Sequence, residues 1–157
     1  ETLRLTGLSQ YASHAPHLLS GGQKQKLAIA GVLVMRPSCL VLDEPTSMLD
    51  PAGRDELMET LIRLNRTMKV TVVLVTHFME EAVLADRVVV LSDGRIAISG
   101  PPAMVFAEVE LLAGIGLKLP AALEIAHGLR KRGFPLPQEI LTIYDLLAYF
   151  KNKALED

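Results

Sequence analysis

Runs of helical period alternate along this chain with short runs of β-branched residues. Residues 21–36 read as a helix that stops at Pro37, because a proline ring cannot continue it. Cys39 to Leu42 is a short apolar run leading into Asp43 and Glu44, the pattern of a buried strand. Asp50 then precedes Pro51, the order expected of a helix cap and first turn. That helix continues to about Thr67, with Leu57, Leu61, Ile62 and Leu64 on one face. Val70 to Val75 is β-branched and almost wholly apolar, a second buried strand. Strand, helix and strand at this spacing predict a right-handed βαβ unit and a parallel sheet.

The pattern then shortens. A brief helix is expected around Glu80 to Ala85. Val88–Leu91 and Arg95–Ser99 follow, joined through Asp93-Gly94, a preferred two-residue hairpin turn. Gly100-Pro101-Pro102 closes the α/β portion. Beyond about Phe106 the composition changes, and helices are expected near 108–115, 121–132 and 142–150, the last two separated by Gly133, Pro135 and Pro137. Leu123, Ala126 and Leu129 can form one apolar stripe, with Arg130, Lys131 and Arg132 as a solvated edge. At the other end, residues 1–19 predict a short helical start and a loop around His14, Pro16 and His17. No repeat or low-complexity segment interrupts this order.

Composition narrows the classes. Half of the 157 residues are hydrophobic, which suits a packed core and argues against disorder. A formal net charge of −2 gives no reason to expect a nucleic-acid surface. The single cysteine, Cys39, cannot form an internal disulfide; a reducing compartment and a small core residue are expected. The longest apolar stretch, Leu27 to Met35, is far short of the ~20 residues of a membrane span. His14, His17 and His127 lack metal-ligand spacing and read as structural or solvated.

Three short segments carry candidate chemistry. In Leu19-Ser20-Gly21-Gly22-Gln23, a capping box accounts for Ser20 and Gln23. It does not account for Gly21 and Gly22, each of which costs up to ~1 kcal/mol relative to alanine in a helix. Bare backbone at a helix start, with free N–H groups and about +0.5 charge from the dipole, suits the approach of a phosphate. In Leu40-Val41-Leu42-Asp43-Glu44, the plain reading is a strand ending in two solvated acids. At the carboxyl end of a parallel strand, however, one acid can hold Mg²⁺ and the other can activate a water. His77 follows Thr76 at the end of the next strand. It is an ordinary polar residue by itself, but neighbouring strands would set it beside Glu44.

Taken in order, with Pro45-Thr46-Ser47-Met48-Leu49-Asp50 between the acids and the histidine, these pieces resemble the ATP-binding cassette family. The resemblance covers residues 1 to about 106. Leu19–Gln23 looks like the signature motif, Leu40–Glu44 the Walker B strand with its catalytic glutamate, Ser47–Asp50 the D-loop and His77 the switch histidine. The fold implied is α/β: the C-terminal portion of a parallel-sheet P-loop NTPase core, with a β-hairpin and a small helical extension. Domains of 1–106 and 107–157 are expected, the second as a dimer contact. The resemblance implies two cassettes closing head to tail around ATP. Ser20 and Gly22 would touch the γ-phosphate held by the other cassette, with Gly21 and Gln23 in the same nucleotide-binding motif. Asp43 would bind Mg²⁺ through water, Glu44 would act as general base, His77 would position the γ-phosphate and Asp50 would couple the two sites.

The resemblance narrows further. Ala15-Pro16-His17-Leu18-Leu19, Thr76-His77-Phe78-Met79-Glu80-Glu81-Ala82 and Pro137-Gln138-Glu139-Ile140-Leu141-Thr142 are similar to the ATPases of energy-coupling factor transporters. That implies a second ATPase subunit, a transmembrane scaffold, a substrate-binding membrane subunit, cargo such as a vitamin, cobalt or nickel, and a place on the cytoplasmic face of a bacterial or archaeal cell membrane. One departure is large. The phosphate loop G-x-x-x-x-G-K-[ST] and the glutamine loop are not in this sequence, and Gly7, Gly21, Gly22 and Gly31 lack the following lysine. Truncation on the N-terminal side is the expectation, with the chain alone inactive. The alternatives are an ATPase of another transporter class, or a non-catalytic module that lost its phosphate loop.

Overall fold

The structure is a computed structural model, and it describes residues 1–137 and 139–153. Gln138 of the third resemblance segment lies outside the described residues. The chain divides into two compact units, Glu1–His77 and Phe78–Asp157.

The first unit opens with a short helix α1 (Thr2–Leu5) and two single 3-10 turns, Ser9–Tyr11 and Pro16–Leu18. Helix α2 (Gly21–Leu33) follows, three residues shorter than the apolar pattern suggests. The cause is local. The ring of Pro37 disfavours helical backbone at Arg36, which turns to φ +50°, and the last turn closes through Met35 and Arg36 amides onto Val32 and Leu33 carbonyls. Strand β1 (Cys39–Asp43), helix α3 (Pro51–Met68) and strand β2 (Thr71–Val75) come next. α3 starts on the Asp50 cap with Pro51 in its first turn, and it stops at Lys69 in the left-handed region. β1 and β2 are parallel and in register from Cys39 opposite Thr71 to Asp43 opposite Val75.

Ile29 and Leu33 of α2, Leu40 of β1, and Leu57, Met58, Leu61 and Leu64 of α3 form the core of this unit with Val70. Ile62, expected on the same stripe, is only half-buried. The expectation of fully buried strands needs correction. Leu40, Leu42 and Leu74 face the helices, whereas Cys39, Val41, Val73 and Val75 on the alternate positions are exposed. An unbroken apolar run marks a strand meant for cover on both faces. In this unit α2 and α3 cover one face, so Cys39 is a surface residue here and not a core one.

The second unit begins with α4 (Met79–Ala82), then β3 (Val88–Ser92) and β4 (Arg95–Gly100), paired antiparallel. Asp93 and Gly94 turn between them at φ +50° and +72°, the two positive angles of a type I′ turn. Helix α5 (Pro102–Ala107) forms where the sequence reading ended the α/β portion, since Pro102 suits a first turn and Val105 and Phe106 bury beneath it. Helices α6 (Val109–Gly114), α7 (Ala121–Lys131) and α8 (Ile143–Lys153) match the three expected ones closely. The stripe on α7 divides: Leu123 joins a cluster with Val90, Val105, Phe106 and Leu112, while Ala126 joins Leu136, Ile140 and Leu146. Arg130 is not a solvated edge. Its guanidinium donates to the carbonyls of Leu136 (3.1 Å) and Pro137, bracing the loop after Gly133.

Candidate functional site

All eight of the candidate site residues lie in the first unit, at the ends of its strands and the starts of its two long helices. Ser20 caps α2 through the expected box: the Gln23 amide donates to Ser20 Oγ (3.3 Å), and the Ser20 amide donates to Gln23 Oε1 (2.9 Å). Gly21 and Gly22 form the first turn. A Cβ built on either would meet nothing closer than Leu49 Cδ2, at 3.7 and 3.9 Å, an ordinary contact. Among the described residues, no contact therefore requires glycine at these two positions.

Asp43 is the last residue of β1. Glu44 extends the ladder by one bond, its amide donating to the Val75 carbonyl at 2.9 Å. Its backbone then breaks into the left-handed region at φ +44°. Such a conformation costs a non-glycine residue on the order of 1–3 kcal/mol and is held only when its surroundings enforce it. Ser47 supplies part of that hold, with its amide and hydroxyl both donating to the Glu44 carbonyl (3.2 and 2.9 Å). The parallel register carries His77 past the end of β2, and its Nδ1 lies 3.1 Å from Glu44 Oε1. Both side chains are about half exposed, so a water can reach the carboxylate. A carboxylate held by an imidazole and open to solvent can take a proton from an attacking water.

Asp50 caps α3, its Oδ1 accepting from the Gly53 amide at 3.2 Å. A Cβ at Gly53 would sit 2.8 Å from that oxygen, so any larger residue there would displace the Asp50 carboxylate. The N-termini of α2 and α3 converge on a cleft of about 650 Å³ lined by Ser20, Gly21, Gly22, Met48, Asp50 and Glu56, among others. Met48 stands 93% exposed at its rim. The site residues thus form two groups, Ser20 to Gly22 with Asp50 in the cleft, and Glu44 with His77 at the strand ends.

Sequence reasoning missed two contacts made by α2, one to the loop after Glu44 and one to α3. Gln25 Nε2 donates to the Pro45 carbonyl at 3.0 Å, and Lys26 Nζ pairs with Glu56 Oε1 at 2.5 Å. A signal was present: Lys26, Ile29, Ala30 and Leu33 share one helical stripe, and a lysine on an apolar stripe asks for a partner. Among the described residues, no group of three or more His, Cys, Asp and Glu side chains could enclose a metal. The exposed carboxylate of Asp43 still fits Mg²⁺, which takes few protein ligands and keeps waters and phosphate oxygens for the rest.

Comparison with known proteins finds relatives of one kind. The family described as ABC transporter matches residues 1–47. The energy-coupling factor transporter ATP-binding protein EcfA1 of Caldanaerobacter subterraneus is 52% identical over 147 residues, 94% of this chain and 53% of that protein. The EcfA1 of Symbiobacterium thermophilum is 54% identical over 94% of this chain and 51% of its own length. Among solved structures, cbiO1 from Clostridium perfringens, described as part of the ABC transporter complex cbiONQ, aligns with a TM-score of 0.66 and 39% identity. That alignment spans 80% of this chain and 51% of cbiO1. A cassette dimer in a post-hydrolysis state with ADP and Pi aligns at 0.55 and 35% identity, over 64% of this chain and 44% of that one. The chain spans about half the length of the curated relatives it matches. It belongs to the ABC transporter ATPases, as a portion of an ATP-binding cassette homologous to EcfA1.

Proposed function

We propose that the full-length protein is the ATP-binding subunit of an energy-coupling factor importer, hydrolysing ATP between two cassettes paired head to tail. The observation that carries this reading is the 3.1 Å contact between Glu44 and His77, on neighbouring strand ends within the portion homologous to EcfA1. The phosphate loop and glutamine loop would be supplied by parts of the protein beyond the matched half.

Each residue then has a task. The bare first turn of α2, with Ser20 Oγ and the amides of Gly21 and Gly22, caps the γ-phosphate held by the partner cassette. Asp43 would hold Mg²⁺ through water, and the ion would there supply positive charge against the phosphates. Glu44 accepts a proton from the attacking water. His77 orients Glu44 through Nδ1 and meets a γ-phosphate oxygen through Nε2. Donation from both ring nitrogens needs the imidazolium form, since a neutral ring donates from only one. Asp50, at the cleft with Ser20 and Gly22, couples one nucleotide site to the other across the interface.

The partners that follow are a second cassette, identical or paralogous, a transmembrane scaffold and a substrate-binding membrane subunit, with a vitamin or transition-metal cation as cargo. No helix among the described residues is long and apolar enough to cross a membrane. The proposed place of the subunit is peripheral, on the cytoplasmic face of the membrane. The helices beyond about residue 106 act as an extension that helps hold the cassette pair. α8 offers Ile143, Tyr144 and Leu147 for this, all exposed. Glu44→Gln in the full-length protein should keep ATP binding and lower turnover by about 10²–10⁴-fold, the usual worth of a general base, leaving an ATP-loaded dimer. Near-normal hydrolysis would remove Glu44 from the mechanism.

A further inference from the structure

Lys26 is an unusual residue for its place. It lies on the buried stripe of α2, its side chain only 5% exposed, and its ammonium group pairs with Glu56 of α3, whose side chain is 69% exposed. An apolar residue of similar volume at such a position is often neutral or stabilising, so stability alone does not explain a buried charge. The better-attested use of such a pair is to set the register between two elements.

The geometry supports that use. Lys26 is the sixth residue of α2 and Glu56 the sixth of α3, so the pair ties the helices at matching heights, about 8 Å along each axis from the first turn. Below the tie, both first turns open into the same cleft. The preceding residue, Gln25, holds the Pro45 carbonyl immediately after Glu44. Two consecutive residues of α2 thereby grip both ends of the 45–50 segment: Gln25 directly at its start, and Lys26 through the helix that Asp50 caps at its end.

We infer that Lys26 and Glu56 are positioning residues that hold the phosphate-capping turn of α2 in fixed register with Asp50 and the catalytic Glu44. The inference rests on the hydrolytic reading above for its consequence in turnover, but the tie itself is a property of the fold. The pair keeps the capping turn and the base-bearing loop moving as one body, so that closure on the phosphate and alignment of the water-activating carboxylate occur together.

The test uses the full-length protein with its partner cassette, comparing wild type with Lys26→Met, Lys26→Arg and Glu56→Gln. Lys26→Met and Glu56→Gln should lower kcat by about ten- to a hundredfold, the scale of a misplacement near 1 Å, with KM for ATP changed by less than about twofold. The melting temperature of Lys26→Met should stay within a few degrees, that of Glu56→Gln should fall because the buried ammonium loses its counter-charge, and Lys26→Arg should recover most of the lost kcat. Amide exchange should quicken about tenfold at Gln23, Lys24, Leu49 and Gly53 in Lys26→Met and stay unchanged in the cores of α2 and α3. A wild-type kcat in Lys26→Met overturns the inference. So does a loss of kcat that follows a lowered melting temperature and is not restored by arginine. Were wild type and variants all without ATP turnover, the hydrolytic reading would fail separately. The exchange pattern would then still decide the tie: loosening confined to the two first turns supports it, and a uniform or absent change refutes it.

Discussion

Gly21 and Gly22 permit a prediction in which stability and function move in opposite directions. Neither has a positive φ, and a Cβ on either would make only an ordinary contact with Leu49 Cδ2, at 3.7 and 3.9 Å. Alanine therefore fits both positions without strain. Gly→Ala at a compatible helical site stabilises by about 0.4–1 kcal/mol, mainly by reducing the entropy of the unfolded chain. The double variant should gain about 0.8–2 kcal/mol if the sites act independently. At about 2–4 °C per kcal/mol for a domain of this size, the melting temperature should rise by roughly 2–8 °C. The two methyl groups would meanwhile stand over the amides proposed to cap the phosphate, so ATP-dependent pairing of cassettes and turnover should fall by at least tenfold. Calorimetry and a phosphate-release assay on the full-length protein read the two effects separately. Lowered stability would mean that an unrecognised contact needs the glycines. Unchanged turnover would mean that no phosphate approaches this backbone.

Two further outcomes follow from local geometry. Asp50→Ala should cost about 1 kcal/mol through loss of the cap on the Gly53 amide, with Asp50→Asn retaining most of it, as read from urea midpoints. In the first turn of α8, burial would raise the pKa of Asp145, but hydrogen bonds from the Thr142 hydroxyl and the amides of Thr142 and Leu141 outweigh it and hold the carboxyl below its ordinary value. The unfolded state therefore binds this proton more readily than the folded one. Its contribution is fully present above the unfolded carboxylate pKa of about 3.9 and is lost as pH falls through the lower folded value. Asp145→Asn should flatten the stability curve of the second unit over that acid window, and an unchanged curve would refute the assignment.

Much of the site was legible because its determinants are local. Ser20 with Gln23 and Asp50 with Pro51 specify helix starts through bonds spanning three residues, and the structure forms both caps. Asp93-Gly94 specifies its turn because few other pairs accept two positive φ angles. The meeting of Glu44 and His77 was legible one step further out, since two parallel strands in one sheet bring their carboxyl ends together.

Other features depended on what packs against what. The left-handed backbone at Glu44 is held by Ser47 and the end of the β2 ladder, and no single-residue preference points to it. Lys26 is polar in composition and buried in fact, because its charge is answered by a residue thirty positions away on another helix. Arg130 looked solvated until the loop after Gly133 folded back to offer it two carbonyls. Cys39 and Val41 have the sequence of a covered strand, yet they stand exposed on the face that α2 and α3 do not reach. The sequence by itself determined where helices and turns begin, because caps and glycine angles are decided within a few residues. Only the tertiary structure decided burial, ionic partners and the strained backbone at Glu44, because those depend on atoms distant in the chain.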